Sequence, residues 1–112
     1  MTVLEFMYAT FSNTRHSVRP RAECADGFSV SIQGGTEYHY CEPRELCNKY
    51  EEVELGYPSE REESLIPYMD GGEGTDPTET VYGWVPIETV EAVVQKHGGI
   101  LPSSCGRKTK GK

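Results

Sequence analysis

A chain of 112 residues, 36% of them apolar, holds material for one modest core and little for a deep catalytic cleft. Its formal charge of -7 is unevenly placed. Residues 42–91 carry 14 Asp or Glu against 3 Lys or Arg, a balance of -11, while residues 1–41 carry -1 and residues 92–112 carry +5. Seven Tyr, three Phe and one Trp argue against full disorder, because large rings bury much area per residue. No run of about 18 apolar residues exists, which excludes a membrane-spanning helix. The start, MTVLEFMYATF, lacks a positive n-region and is interrupted by Glu5, so no signal peptide is expected. The expected compartment is the cytoplasm, with cysteines reduced.

In chain order, residues 3–11 are dense in Val, Phe, Tyr and Leu and read as a central strand with two apolar faces. Residues 12–21 are a polar loop. Phe28, Val30 and Ile32 alternate with Ser29 and Ser31, the pattern of a half-buried strand. Gly34-Gly35 turns the chain, and residues 36–41 return as the hairpin partner, with Tyr38 and Tyr40 on one face and Glu37 and His39 on the other. Pro43 ends that strand. Residues 50–57 form the next one, with Val53, Leu55 and Tyr57 inward and Glu52 and Glu54 toward water.

Pro58-Ser59 opens a predicted helix in which Ser59 caps and Glu62 reaches back. Leu65, Ile66 and Met69 give it an apolar side, and Pro67 limits it. Residues 70–80 form a flexible acidic loop, and residues 81–85 a last strand on which Tyr82 and Trp84 share a face. Pro86 begins the final helix, with Ile87, Val90, Val93 and Val94 as its stripe and His97 at its far end. Gly98-Gly99 stops it. The expected organisation is a single domain over 1–100 and a flexible basic tail over 101–112. The expected fold is α+β: a small, mostly antiparallel sheet of about four to five strands with the C-terminal helix packed on one face.

Few residues sit in patterns that carry chemistry. Cys24, Cys41 and Cys47, with His39 between them, lack the close cysteine pair of zinc ribbons and fingers, so no metal site is expected. His39 and Cys41 are two residues apart on a strand, about 7 Å along the chain, too far for a nucleophile and its base. Cys105 lies in the tail and is expected to be exposed. The glycine-rich acidic run at 70–76 lacks the ligand spacing and closing Glu of a calcium loop. Neither glycine pair precedes a helix with the Lys and Ser/Thr of a phosphate loop. No catalytic residue, cofactor or direct nucleic-acid contact is therefore expected, the last because a negative field repels a duplex.

The stretches DGFSVSIQGG, EYHYCEPRE, YEEVELGYP and ETVYGWVPIETVEAVVQKHGGI resemble small proteins encoded by bacteriophages and mobile elements of Gram-positive bacteria. That resemblance implies action inside a host bacterial cell, as an anti-CRISPR protein or another inhibitor of host defence. It fits the charge, because carboxylates spaced along a strand, a helix and a loop imitate a phosphate backbone and attract a basic groove. The expected function is non-enzymatic: an acidic, DNA-mimicking protein that inhibits or modulates a nucleic-acid-processing enzyme, such as a CRISPR effector. The expected partner-binding residues are Glu52, Glu54, Glu60, Glu62, Glu63, Asp70, Glu73, Asp76 and Glu79. Exposed Tyr57, Tyr68, Tyr82 or Trp84 beside them would act as anchors. Two other readings stand: a structural module that homodimerises through a sheet edge or its Tyr-rich face, and a small metal-binding or hydrolytic protein using His39 and Cys41.

Overall fold

The computed structural model describes residues 1–11, 18–34 and 50–106. It opens with a helix, α1 (Val3–Ala9), where a strand is expected. Val3, Phe6 and Met7 are buried and Thr10 follows them inward, the i, i+3, i+4, i+7 spacing of one helical face. Thr2 and Glu5 form a reciprocal capping box at its start. The β-forming composition of the segment is overridden by that cap and that period.

Among the described residues four strands follow: β1 (Ala22–Glu23), β2 (Ser29–Gln33), β3 (Glu52–Gly56) and β4 (Val81–Pro86). They form one antiparallel sheet in the order β1-β2-β3-β4. Val30, Ile32, Val53, Leu55, Tyr82 and Val85 are buried in a core shared with Phe6 and Met7 of α1. The fold is α+β, and α2 (Ile87–Lys96) packs on the sheet through Val90, Val93 and Val94. Pro86 is its N-cap, and the Ile87 N–H donates to the Glu51 carbonyl. The return strand expected at 36–41 lies outside the described residues.

The helix expected after Ser59 is a 3-10 helix, Glu63–Tyr68, preceded by an extended Glu62. Ser59 does not cap it; its hydroxyl accepts the Ser29 N–H. The expected face shared by Tyr82 and Trp84 is broken by a bulge. Val85 opposes Val53 and Tyr82 opposes Leu55, so Gly83 and Trp84 together stand against Glu54. Trp84 takes φ 48, Tyr82 is buried, and the indole is turned outward at 42% exposure. Tyr57 also departs from its strand face, at φ 51 and 50% exposure.

Beyond α2, Gly98 and Gly99 take positive φ and end the helix. A Cβ on Gly98 would stand 2.7 Å from that of Ala25, so the glycine lets the β1–β2 turn close on the end of α2. Ile100 folds back, bridging Cys24 and donating its N–H to the Met1 carbonyl. The chain continues into α3 (Ser103–Gly106), where Ser104 is buried. Cys105 is half-buried rather than exposed, its thiol 3.7 Å from the Met1 sulfur. Among the described residues no helix is long and apolar enough to cross a membrane.

Candidate functional site

The pairing order decides where the acid goes. The chain leaves β3 at Gly56 and enters β4 at Val81, and these two residues are register partners. The segments that follow one and precede the other, 57–63 and 70–80, therefore meet at one end of the sheet. Tyr57 N–H donates to the Thr80 carbonyl and Asp70 N–H to that of Val81, which pins both segments there. Glu60, Glu63, Asp70, Glu73, Asp76 and Glu79 belong to this end, and all are exposed.

Three of the nine expected residues are placed differently. Glu52 and Glu54 are half-buried on β3 rather than outward, and Glu54 stands against Gly83 and Trp84. Glu62 is only 3% exposed, and both its oxygens are engaged inside the protein, so it is no part of the outer surface. Two of the exposed carboxylates also have local duties. Glu63 is paired with Arg61, and Asp76 accepts both the backbone N–H and the hydroxyl of Thr78. These contacts hold the Glu63 and Asp76 carboxyls below their ordinary values. Asp70, Glu73 and Glu79 remain the outward-facing acid of the loop. Beside them lies a pocket of about 340 Å³ lined by Tyr68, Met69, Asp70, Gly83 and Trp84.

Comparison with protein-family models, with curated proteins and with solved structures finds no match.

Behind the acidic end sits an ion cluster centred on His97, at the C-terminus of α2, in which His97 and Glu62 are buried while Asp26 and Lys96 reach solvent. Its Nδ1 lies 2.7 Å from Asp26 Oδ2, its Nε2 2.6 Å from Glu62 Oε2, and Lys96 Nζ 2.8 Å from the other Glu62 oxygen. Phe28 stacks on the imidazole at 4.1 Å, nearly parallel. Two carboxylates stand at hydrogen-bond distance from both ring nitrogens, an arrangement that favours the imidazolium with each nitrogen donating. Burial alone would push the His97 pKa down, but the hydrogen bonds and charges of Glu62 and Asp26 outweigh it and raise it. Burial likewise pushes Glu62 up, and hydrogen bonds from Lys96 and His97 bring it below its ordinary value. Asp26 is lowered chiefly by the Phe28 N–H, then by His97. Cys24, buried behind this turn, is pushed up to about 11 by burial and then by the charge of Asp26.

With both nitrogens donating, His97 has no lone pair to accept a proton, and the cluster as it stands ties three segments together. Sequence reasoning placed His97 only as a helix end, because its partners lie 71 and 35 residues away. A histidine in the last helical turn and an Asp26-Gly27 turn were the available signals, and neither names the other. His39, Cys41 and Cys47, weighed above for metal or nucleophilic chemistry, lie outside the described residues.

Proposed function

We propose that this chain is a non-enzymatic binding protein that offers its acidic end, with aromatic anchors, to the basic surface of a nucleic-acid-processing enzyme. A CRISPR effector or another host-defence nuclease is the partner class implied by the resemblance to phage and mobile-element proteins. The carrying observation is the meeting of segments 57–63 and 70–80 at one sheet end, where Asp70 lines a pocket with Tyr68 and Trp84. Clustered carboxylates steer a positively charged partner, and exposed rings supply the affinity that rim charge does not.

Of the exposed acid, Asp70, Glu73 and Glu79 carry the proposed contact, because Glu62 is buried, Glu63 and Asp76 have local partners, and Glu60 faces His97. The decisive experiment is displacement of labelled duplex DNA from a purified effector. The chain is expected to displace it at low salt and progressively less as salt rises. The variant Asp70→Lys/Glu73→Lys/Glu79→Lys is expected to keep its fold and lose displacement; equal displacement by parent and variant rejects the reading.

A second reading, self-association, is favoured by Leu4 and Tyr8, exposed one turn apart on α1. Sedimentation at several concentrations distinguishes it, since a tight dimer unaffected by the triple charge reversal supports this reading.

A further inference from the structure

The geometry around His97 points to a second capability, one that does not draw on Asp70, Glu73 or Glu79: we propose that Glu60, Glu62 and His97 form a site for a divalent transition-metal ion, with Zn²⁺ the ion their donor set suits. Ligand atoms of the three residues lie within 4.8 Å of one another. The Nε2 of His97 faces Glu62 Oε2 at 2.6 Å and Glu60 Oε2 at 3.7 Å. One imidazole and two carboxylates are donors that Zn²⁺ accepts, and the approach from Glu60 leaves the solvent side open for water.

What distinguishes this group from a chance meeting of surface acids is its burial and its support. Glu62 and His97 are 3% and 5% exposed, so neither is free to wander. Asp26 holds Nδ1, and its other oxygen accepts the Phe28 N–H at 2.9 Å. A carboxylate on the far nitrogen of an imidazole is the outer arrangement that fixes ring orientation and tautomer in metal-bound histidines. The Phe28 ring, 8° from parallel, fixes the imidazole plane. Nε2 is thereby aimed at one point, reached by two carboxylates from segment 57–63.

The rearrangement needed is small. At Zn–ligand distances of about 2.0–2.1 Å, tetrahedral donors stand about 3.3 Å apart. Glu62 Oε2 must withdraw from Nε2, and the exposed Glu60 side chain must close in, by up to about 1.5 Å toward Glu62. The ion takes the place of the proton shared by Nε2 and Glu62, and that proton leaves to solvent. Lys96 keeps its contact with Glu62 Oε1.

The test is titration of the metal-free full chain with ZnCl₂, followed by long-range ¹H–¹⁵N spectra of the histidine rings and by calorimetry. Zn²⁺ is expected to shift the His97 Nε2 resonance, which separates this site from ions taken by other histidines or cysteines. Glu60→Gln changes a side chain that is 60% exposed, so the fold tolerates it. It is expected to weaken Zn²⁺ binding by about tenfold or more, with the metal-free melting temperature unchanged. Asp26→Asn is expected to weaken binding by about 10–100-fold while the ion still reaches Nε2. An unmoved His97 Nε2 resonance, or equal affinity in Glu60→Gln and the parent, overturns the proposal.

Discussion

Arg19 and His97 are both cations withdrawn from water, at opposite ends of β2, and the protein satisfies them in different ways. Arg19, 9% exposed, donates from Nε to Thr10 Oγ1, from Nη1 to the Gly34 carbonyl, and from Nη2 to the Met7 carbonyl and the Tyr50 hydroxyl. Among the described residues its hydrogen-bond acceptors are all neutral. Its own backbone N–H and carbonyl are matched by the Gln33 amide. His97 instead takes two carboxylates, with a lysine on the second. An arginine does not titrate in ordinary buffers, and its planar fork bonds several carbonyls at once, including those at the negative end of a helix. A histidine does titrate, so its partners are charges that change with it. The first arrangement is a fixed rivet between α1 and the sheet; the second is a joint that a proton or an ion can alter.

The largest expected effect lies at the rivet. Arg19→Ala strips donors from the Met7 and Gly34 carbonyls and opens a void under α1. Urea denaturation is expected to show a loss on the order of 3–5 kcal/mol, nearly constant with pH. Arg19→Lys is expected to recover only part, since one ammonium cannot span Thr10, Met7 and Gly34 together. A loss below about 1 kcal/mol would mean that α1 is held by its apolar face alone.

The joint is expected to give a smaller and pH-dependent effect in metal-free buffer. The His97 pKa is raised, so its contribution is complete below the ordinary imidazole value of 6.5 and disappears as pH climbs through the raised value. Asp26 and Glu62 are lowered, so theirs are present above ordinary carboxylate values and disappear as pH falls through the lowered ones. Stability is expected to peak between these windows. On the alkaline side the His97 slope is limited to about 1.4 kcal/mol per pH unit. His97→Gln is expected to flatten that side, and parallel profiles for parent and variant would show that the imidazole is not charged. Plotted together, the Arg19 and His97 variants separate a constant offset from a change of shape.

The contrast also explains what could be read in advance. The strand alternation at Phe28, Val30 and Ile32, the inward Val53 and Leu55, and the stripe Val90, Val93, Val94 are local patterns, and each appears in the structure. The helix stop at Gly98-Gly99 is local too. The helix at α1 was equally legible, since Thr2-x-x-Glu5 and the spacing of Val3, Phe6 and Met7 were both present. Its strand-forming residue types point the other way, and the cap and the period outweigh them. Glu62 could not be separated from its neighbours Glu60 and Glu63, because only the fold brings His97 and Lys96 to it. The acidic end was legible as composition, whereas its location depends on Gly56 pairing with Val81.

Trp84 offers the smallest expected change in stability and the sharpest separation of stability from binding. A bulky side chain at φ 48 is held in a backbone region that costs L-residues about 1–2 kcal/mol, and glycine there is unstrained. Trp84→Gly relieves that strain but gives up the buried part of the indole. The two effects oppose one another, and melting is expected to move by less than about 1 kcal/mol equivalent. Bulges commonly re-aim one side chain, and strained backbone gathers at working surfaces. Under the proposed function, the variant keeps its fold yet displaces less DNA from the effector, although no charge has changed. A large loss of stability would instead assign Trp84 to holding the bulge closed, leaving the carboxylates as the whole of the binding surface.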